Sequence, residues 1–201
     1  MQEENSGKRR EDFDLLAQFN EGSEEAFTRL VEKYSGPLLN FIYRIIPERT
    51  EAEDIAQEVF LKIAGAAGSL RERAKFSTYL YRIAYNLCID RIRRRTVRAA
   101  GTLFVSLDEA AGSDSGEKLN RQVPDPADFP ADLLRERLET KRSVETALAE
   151  LPENQRAAII LKVYEDRPYA EIAEILGVSL PSVESLLFRA RQNLKNRLTA
   201  R

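Results

Sequence analysis

The chain has 201 residues, room for one large domain or two small ones, and 43% hydrophobic against 32% charged residues with no tryptophan suggests a folded, soluble, mostly helical protein. No apolar run approaches the ~20 residues of a membrane span, and the opening MQEENSGKRREDFD is polar and acidic, unlike a secretory signal, so a cytoplasmic location is expected. One cysteine, Cys88, and no histidine exclude an internal disulfide, a Cys/His zinc site and histidine-based triads or proton shuttles.

The net charge of −2 hides an uneven distribution. Arg91, Arg93, Arg94, Arg95 and Arg98 form one basic cluster, and Arg189, Arg191, Lys195, Arg197 and Arg201 form another. Between them, from Gly101 to Leu133, acids predominate.

From Asp12 the apolar residues recur at helical spacing: Phe13, Leu16 and Phe19, then Phe27, Leu30, Val31 and Tyr34, then Leu38, Phe41, Ile42, Ile45 and Ile46. Thr50, with Glu53 three residues on, fits the cap of a third helix carried by Ile55, Val59, Phe60 and Ile63, and Gly65 and Gly68 fit its end. Ser77 fits the cap of a fourth, carried by Leu80, Ile83, Ala84, Leu87 and Ile92 and running into the arginines. These four helices, 12–98, make a first domain. Residues 99–131 lose the helical period and gather Gly, Ser, Asp and Pro, the pattern of an acidic flexible linker.

A second domain, 132–198, starts with Asp132 as a cap and continues through Leu134, Leu138, Val144, Leu148 and Leu151. Pro152 and Pro168 each open a further helix, the first with Ala157, Ile160, Leu161 and Tyr164 inward. The end of the chain has the spacing of a helix-turn-helix. Ile172 and Ala173 precede the turn Gly177-Val178, Ser179 caps the second helix, and Val183 and Leu186 pin it. That leaves Ser182, Glu184, Ser185, Phe188, Arg189 and Gln192 outward, able to reach bases or phosphates in a major groove. A helical hairpin with a solvated polar face has the same spacing. The arginines beyond it favour DNA. The fold class is all-α, two small helical domains and a linker, with no strand-like alternation long enough for a sheet.

A second and independent sign lies in the first domain. EDIAQEVFLKI is followed by FSTYLYRIAYNLCIDRIRRR, and with LPENQRAAIILKVYEDRPYAEIAEILGV and the last helix these segments resemble regions two and four of bacterial extracytoplasmic-function (ECF) sigma factors. The likeness covers nearly all of 12–196 except the linker, in the family's order and spacing. It implies a two-domain initiation factor, without enzymatic chemistry, cofactor or metal, that directs core RNA polymerase to promoters and assists their opening.

Residue by residue, the resemblance places Asp54, Gln57 and Glu58 on the surface that docks on the clamp coiled coil of the beta-prime subunit; the beta flap is the implied partner of region four. These side chains share one helix face and suit arginines of a partner helix. It places Asn86 against an unstacked base of the minus-ten element, with Leu70, Tyr79, Arg82, Arg91, Arg94 and Arg95 around it and Tyr85 as a further flat face. For Tyr79, core packing is the weightier account. The upstream, minus-thirty-five element falls to Ser182, Glu184, Ser185, Phe188, Arg189 and Gln192.

Departures from the family pattern are Tyr79 where tryptophan is frequent, Leu70 in the minus-ten loop, and Glu184 and Leu186 at commonly basic positions. Glutamate repels phosphate but accepts from a cytosine amino group, which points to a shifted upstream sequence. The acidic linker reads equally as an imitator of nucleic acid in the polymerase channel or as a soluble spacer. Cys88 reads as a small buried hydrophobe. An anti-sigma factor is implied as the inhibitor.

Two-component regulators share the terminal helix-turn-helix but need a receiver domain, for which no alternating strand and helix pattern is present. A sigma mimic that bound only an anti-sigma factor would be expected to lack the DNA-facing arginines. An enzyme would need a nucleotide loop, a metal cluster or a nucleophile with its base, and none is legible.

Overall fold

The computed structural model describes residues 2–70, 74–102 and 131–199, with side chains described except at 2–10, 99–102, 131–134 and 136. Among these residues the chain forms eight α-helices and one short 3-10 turn, with no strand.

The first set comprises α1 (Gln2–Asn20), α2 (Glu24–Ile45), α3 (Arg49–Ala66) and α4 (Phe76–Thr102). Phe13, Leu15 and Leu16 turn one face of α1 onto α2, and the buried Asp12 fixes the pair by accepting hydrogen bonds from Lys33 Nζ and Tyr34 Oη, each at 2.6 Å. Between these helices the chain reverses at Gly22, whose φ of +104° a side chain would resist. Ser23 then caps α2, accepting from Ala26 N–H. Pro37 lies inside α2 without ending it, on the exposed side, while Leu30, Leu38, Phe41, Ile42 and Ile45 are completely or almost completely buried.

Three expected helix starts are displaced. Glu48, rather than Thr50, caps α3: its two carboxylate oxygens accept from Thr50 N–H at 3.0 Å and Glu51 N–H at 2.8 Å, so a full negative charge sits at the positive end of the helix. Gly65 lies within α3, which ends at Ala66 and tightens into the 3-10 turn Ala67–Ser69. Helix α4 starts at Phe76, its first turn closing on the Lys75 carbonyl, and Ser77 is buried inside that turn instead of capping it. The helix also continues through Thr102, past the expected start of the linker, most of which (103–130) lies outside the described residues.

The second set comprises α5 (Ala131–Ala149), α6 (Glu153–Val163), α7 (Tyr169–Leu176) and α8 (Leu180–Thr199). Helix α5 begins before Asp132, so that residue is inside the helix and not its cap. Of the apolar residues expected there, Leu148 and Leu151 are buried while Leu138 is exposed. Pro152 and Pro168 stand at the caps of α6 and α7, where a missing N–H is harmless. Val183, Leu187 and Ala190 set α8 against α6 and α7.

The two sets are in contact. Helix α7 lies on α4, and α2 meets α5 and α6, so buried side chains run as one continuous cluster from α1 to α8.

Candidate nucleic-acid and polymerase interface

The helix-turn-helix is built as its spacing predicts. Helix α7 ends in Gly177 in the left-handed conformation (φ +66°, ψ +36°), and Val178 N–H returns to the Ala173 carbonyl at 3.1 Å. Ser179 Oγ accepts from Ser182 N–H at 3.4 Å and caps α8. Val183 is fully buried, but the next inward residue is Leu187, with Leu186 only half-buried at the edge of the contact. The opposite side of α8 presents Ser182, Glu184, Ser185, Phe188, Arg189 and Gln192, all exposed. Glu184, Ser185, Phe188 and Arg189 line a shallow concavity. Phe188 is 64% exposed at that concavity.

On α3, Asp54 and Gln57 are exposed and Glu58 is half-buried. Glu58 is partly engaged within the chain, 3.5 Å from Lys62 Nζ and 3.9 Å from Arg91 Nη2. Leu61 completes the same stripe one turn further on and is 73% exposed, an apolar element that the acidic motif drew attention away from. Its period was legible: positions 54, 57, 58 and 61 follow one helix face.

Helix α4 sorts its residues differently. Arg82, Asn86 and Arg94 are exposed, whereas Tyr79 and Leu70 are half-buried and pack against the core. Tyr85, expected to offer a flat face, is instead buried at 7% exposure with its hydroxyl donating to Asn154 Oδ1 at 2.7 Å. Tyr81 is buried as well, and burial beside Glu165 pushes its hydroxyl pKa upward. Arg91 approaches Glu51 at 3.7 Å, and Arg95 forms an ion pair with Glu51 and stands 3.9 Å from Glu48. No ion pair among the described residues involves Arg94. Cys88 is completely buried, and desolvation pushes its thiol up to about 12.

Two helical sets, one ending in a helix-turn-helix with an open outer face and the other carrying an arginine-rich helix, define a protein of the DNA-binding class. Residues 30–98 match the family Sigma-70 region 2, and residues 141–194 match Sigma-70, region 4. The chain is similar to the ECF RNA polymerase sigma factor SigW of Bacillus subtilis, 32% identical over 183 residues that cover 91% of this chain and 94% of that protein. Solved structures share the fold: CnrH in complex with the cytosolic domain of CnrY (TM-score 0.66, 24% identity, covering 94% of this chain and 98% of that one), and the sigma factor RpoE in complex with the anti-sigma factor NepR from Bartonella quintana (TM-score 0.62, 21% identity, 86% and 96%). The chain belongs to the ECF sigma factors of the sigma-70 family, which direct RNA polymerase to promoters.

Proposed function

We propose that the first helical set, 12–98, docks on the beta-prime clamp coiled coil of core polymerase and opens the minus-ten element, while the second, 132–198, engages the beta flap and the minus-thirty-five element. Asp54, Gln57 and Glu58 supply polar contacts to the clamp, and the exposed Leu61 supplies an apolar centre to that patch. Asn86, with Arg82 and Arg94 beside it, holds an unstacked base and its phosphates; Leu70, Tyr79, Arg91 and Arg95 shape the surroundings.

The observation that carries the reading is the outer face of α8, where six polar and aromatic side chains are exposed together on a helix whose inner face is completely buried. Duplex recognition needs such a helix, propped rigidly from behind so that its side chains enter the major groove. The factor does no chemistry of its own and acts in the cytoplasm. An anti-sigma protein holds it inactive, as the partner of the RpoE relative is described as an anti-sigma factor.

Run-off transcription with purified core polymerase tests this. Promoter-specific transcript is expected only when the chain is added. Phe188→Ala and Arg189→Ala are expected to weaken upstream-element binding, and Asn86→Ala to impair strand opening while duplex binding persists. Unchanged transcript from all three variants overturns these assignments.

A further inference from the structure

Glu184 is the only acid in α8, a helix that otherwise carries four charged residues, the cations Arg189, Arg191, Lys195 and Arg197. It is exposed and lines the concavity with Ser185, Phe188 and Arg189. The residues three and four positions away along the helix, Leu180, Pro181, Leu187 and Phe188, are uncharged, and no ion pair among the described residues involves Glu184. Its charge is therefore uncompensated within the chain, and its oxygens are available to whatever meets this face. Ser182, by contrast, is tied into the cap, with its hydroxyl 2.8 Å from Ser179 Oγ and its N–H donating to the same oxygen. Glu184 is thus the first uncommitted polar side chain from the N-terminal end of the helix, the end from which base edges are contacted.

At about 100° per residue, Glu184 and Arg189 stand about 140° apart around α8. Ser185 and Phe188 lie between them, and the buried stripe of Val183, Leu187 and Ala190 closes the other side. A helix in a major groove turns its two flanks to the two strands, so the acid and the cation address opposite strands. Along the axis they are about 7.5 Å apart at ~1.5 Å per residue, close to two base-pair steps of ~3.4 Å. An ionised carboxylate can only accept hydrogen bonds. Of the four base edges in that groove, thymine O4 and guanine O6 and N7 repel it, and adenine sets its amino group beside the acceptor N7. Cytosine alone offers an amino group with no acceptor next to it.

We propose that Glu184 is a specificity-determining residue: its carboxylate accepts from the N4 amino group of one cytosine in the upstream element, within about two base pairs of a guanine that Arg189 contacts on the opposite strand. This assignment rests on the upstream-element function proposed above. Because the same charge repels the neighbouring phosphates, Glu184 lowers affinity for every sequence and offsets that loss only where the cytosine is present. Selectivity then comes from the penalty at all other bases.

The test assembles the full chain with core polymerase and selects from duplexes randomised over the upstream element. The parent is expected to require C at one position and to discriminate against T there by about fivefold, the lower end of what a base contact supplies. Glu184→Ala removes an exposed side chain and leaves the core untouched. It is expected to lose that preference, to keep the guanine, and to bind the promoter carrying T more tightly than the parent does. Glu184→Gln is expected to move the preference to adenine, whose N6 and N7 an amide contacts together. An affinity gain in Glu184→Ala that is equal for all sequences means that the glutamate only repels phosphate, and overturns the assignment. A parent that selects an element which both variants leave unchanged overturns it as well, while the proposed function stands. If the parent with core polymerase selects no upstream sequence at all, the proposed function falls and the role of Glu184 with it.

Discussion

The arginines of α4 are unequal, and a substitution series exposes the difference. Arg95 pairs with Glu51, whose side chain is 12% exposed, and Arg91 reaches Glu51 and Glu58; Arg94 is exposed and has no ion pair among the described residues. A cation free of carboxylates can neutralise a phosphate without first breaking an internal pair. Each phosphate contact contributes about 0.7–0.9 to the slope of log affinity against log salt, and so about a threefold change in affinity between 50 and 200 mM salt. Arg94→Ala is expected to lower the slope for promoter binding by the holoenzyme by about that amount and to leave the melting temperature unchanged. Arg95→Ala leaves the mostly buried Glu51 carboxylate with only Arg91, 3.7 Å away, as a cationic partner, but Arg95 is itself 54% exposed, and solvent screening holds the loss to about 1 kcal/mol. For a chain of this size that is a fall of about 2–4 °C, with a smaller change in slope. Titration of binding over 50–200 mM salt, with thermal melts on the same preparations, separates the two. Equal slope losses from Arg94→Ala and Arg95→Ala, with no melting difference, would refute the division.

Two further outcomes follow from local geometry. Gly177→Ala meets no atom within 4 Å of the added Cβ, so only the left-handed backbone opposes it; a loss of about 1 kcal/mol, read from a denaturant midpoint, is expected, and Gly177→Asn should lose less. Alkaline stability should depend on Cys88, whose thiol titrates near 9.0 when exposed and about 12 when folded. The folded state keeps its proton longer, so this contribution is complete below pH 9 and is lost as pH rises toward 12; the urea midpoint should fall across that window, and less steeply in Cys88→Ala.

The helix-turn-helix was legible because everything that builds it is local. Gly177, Ser179 and the apolar offsets lie within about a dozen residues, and a helical period of 3.6 decides which side chains point outward. The start of α3 was harder, since Glu48 and Thr50 are both able to accept from the first amides, and the sequence does not say which one the incoming chain from α2 presents. The contact between the two sets was beyond that kind of reading altogether.

Arg156 and Tyr85 carry no local mark that distinguishes them from a solvated arginine and a base-stacking tyrosine. Their partners, Ile45 and Asn154, are 111 and 69 residues away. The same holds for Arg91 and Arg95: position within an arginine run states that a charge is present, whereas Glu48, Glu51 and Glu58, arriving on another helix, determine how much of that charge is left for DNA. On the proposed function, the nucleic-acid surface is therefore the basic residues of the sequence minus those that the fold has already neutralised, and the subtraction depends on tertiary contacts. Of the basic residues on α4 and α8, it leaves Arg82, Arg93, Arg94, Arg189, Arg191 and Lys195 among the exposed cations with no ion pair among the described residues, and so with little to give up on meeting a phosphate.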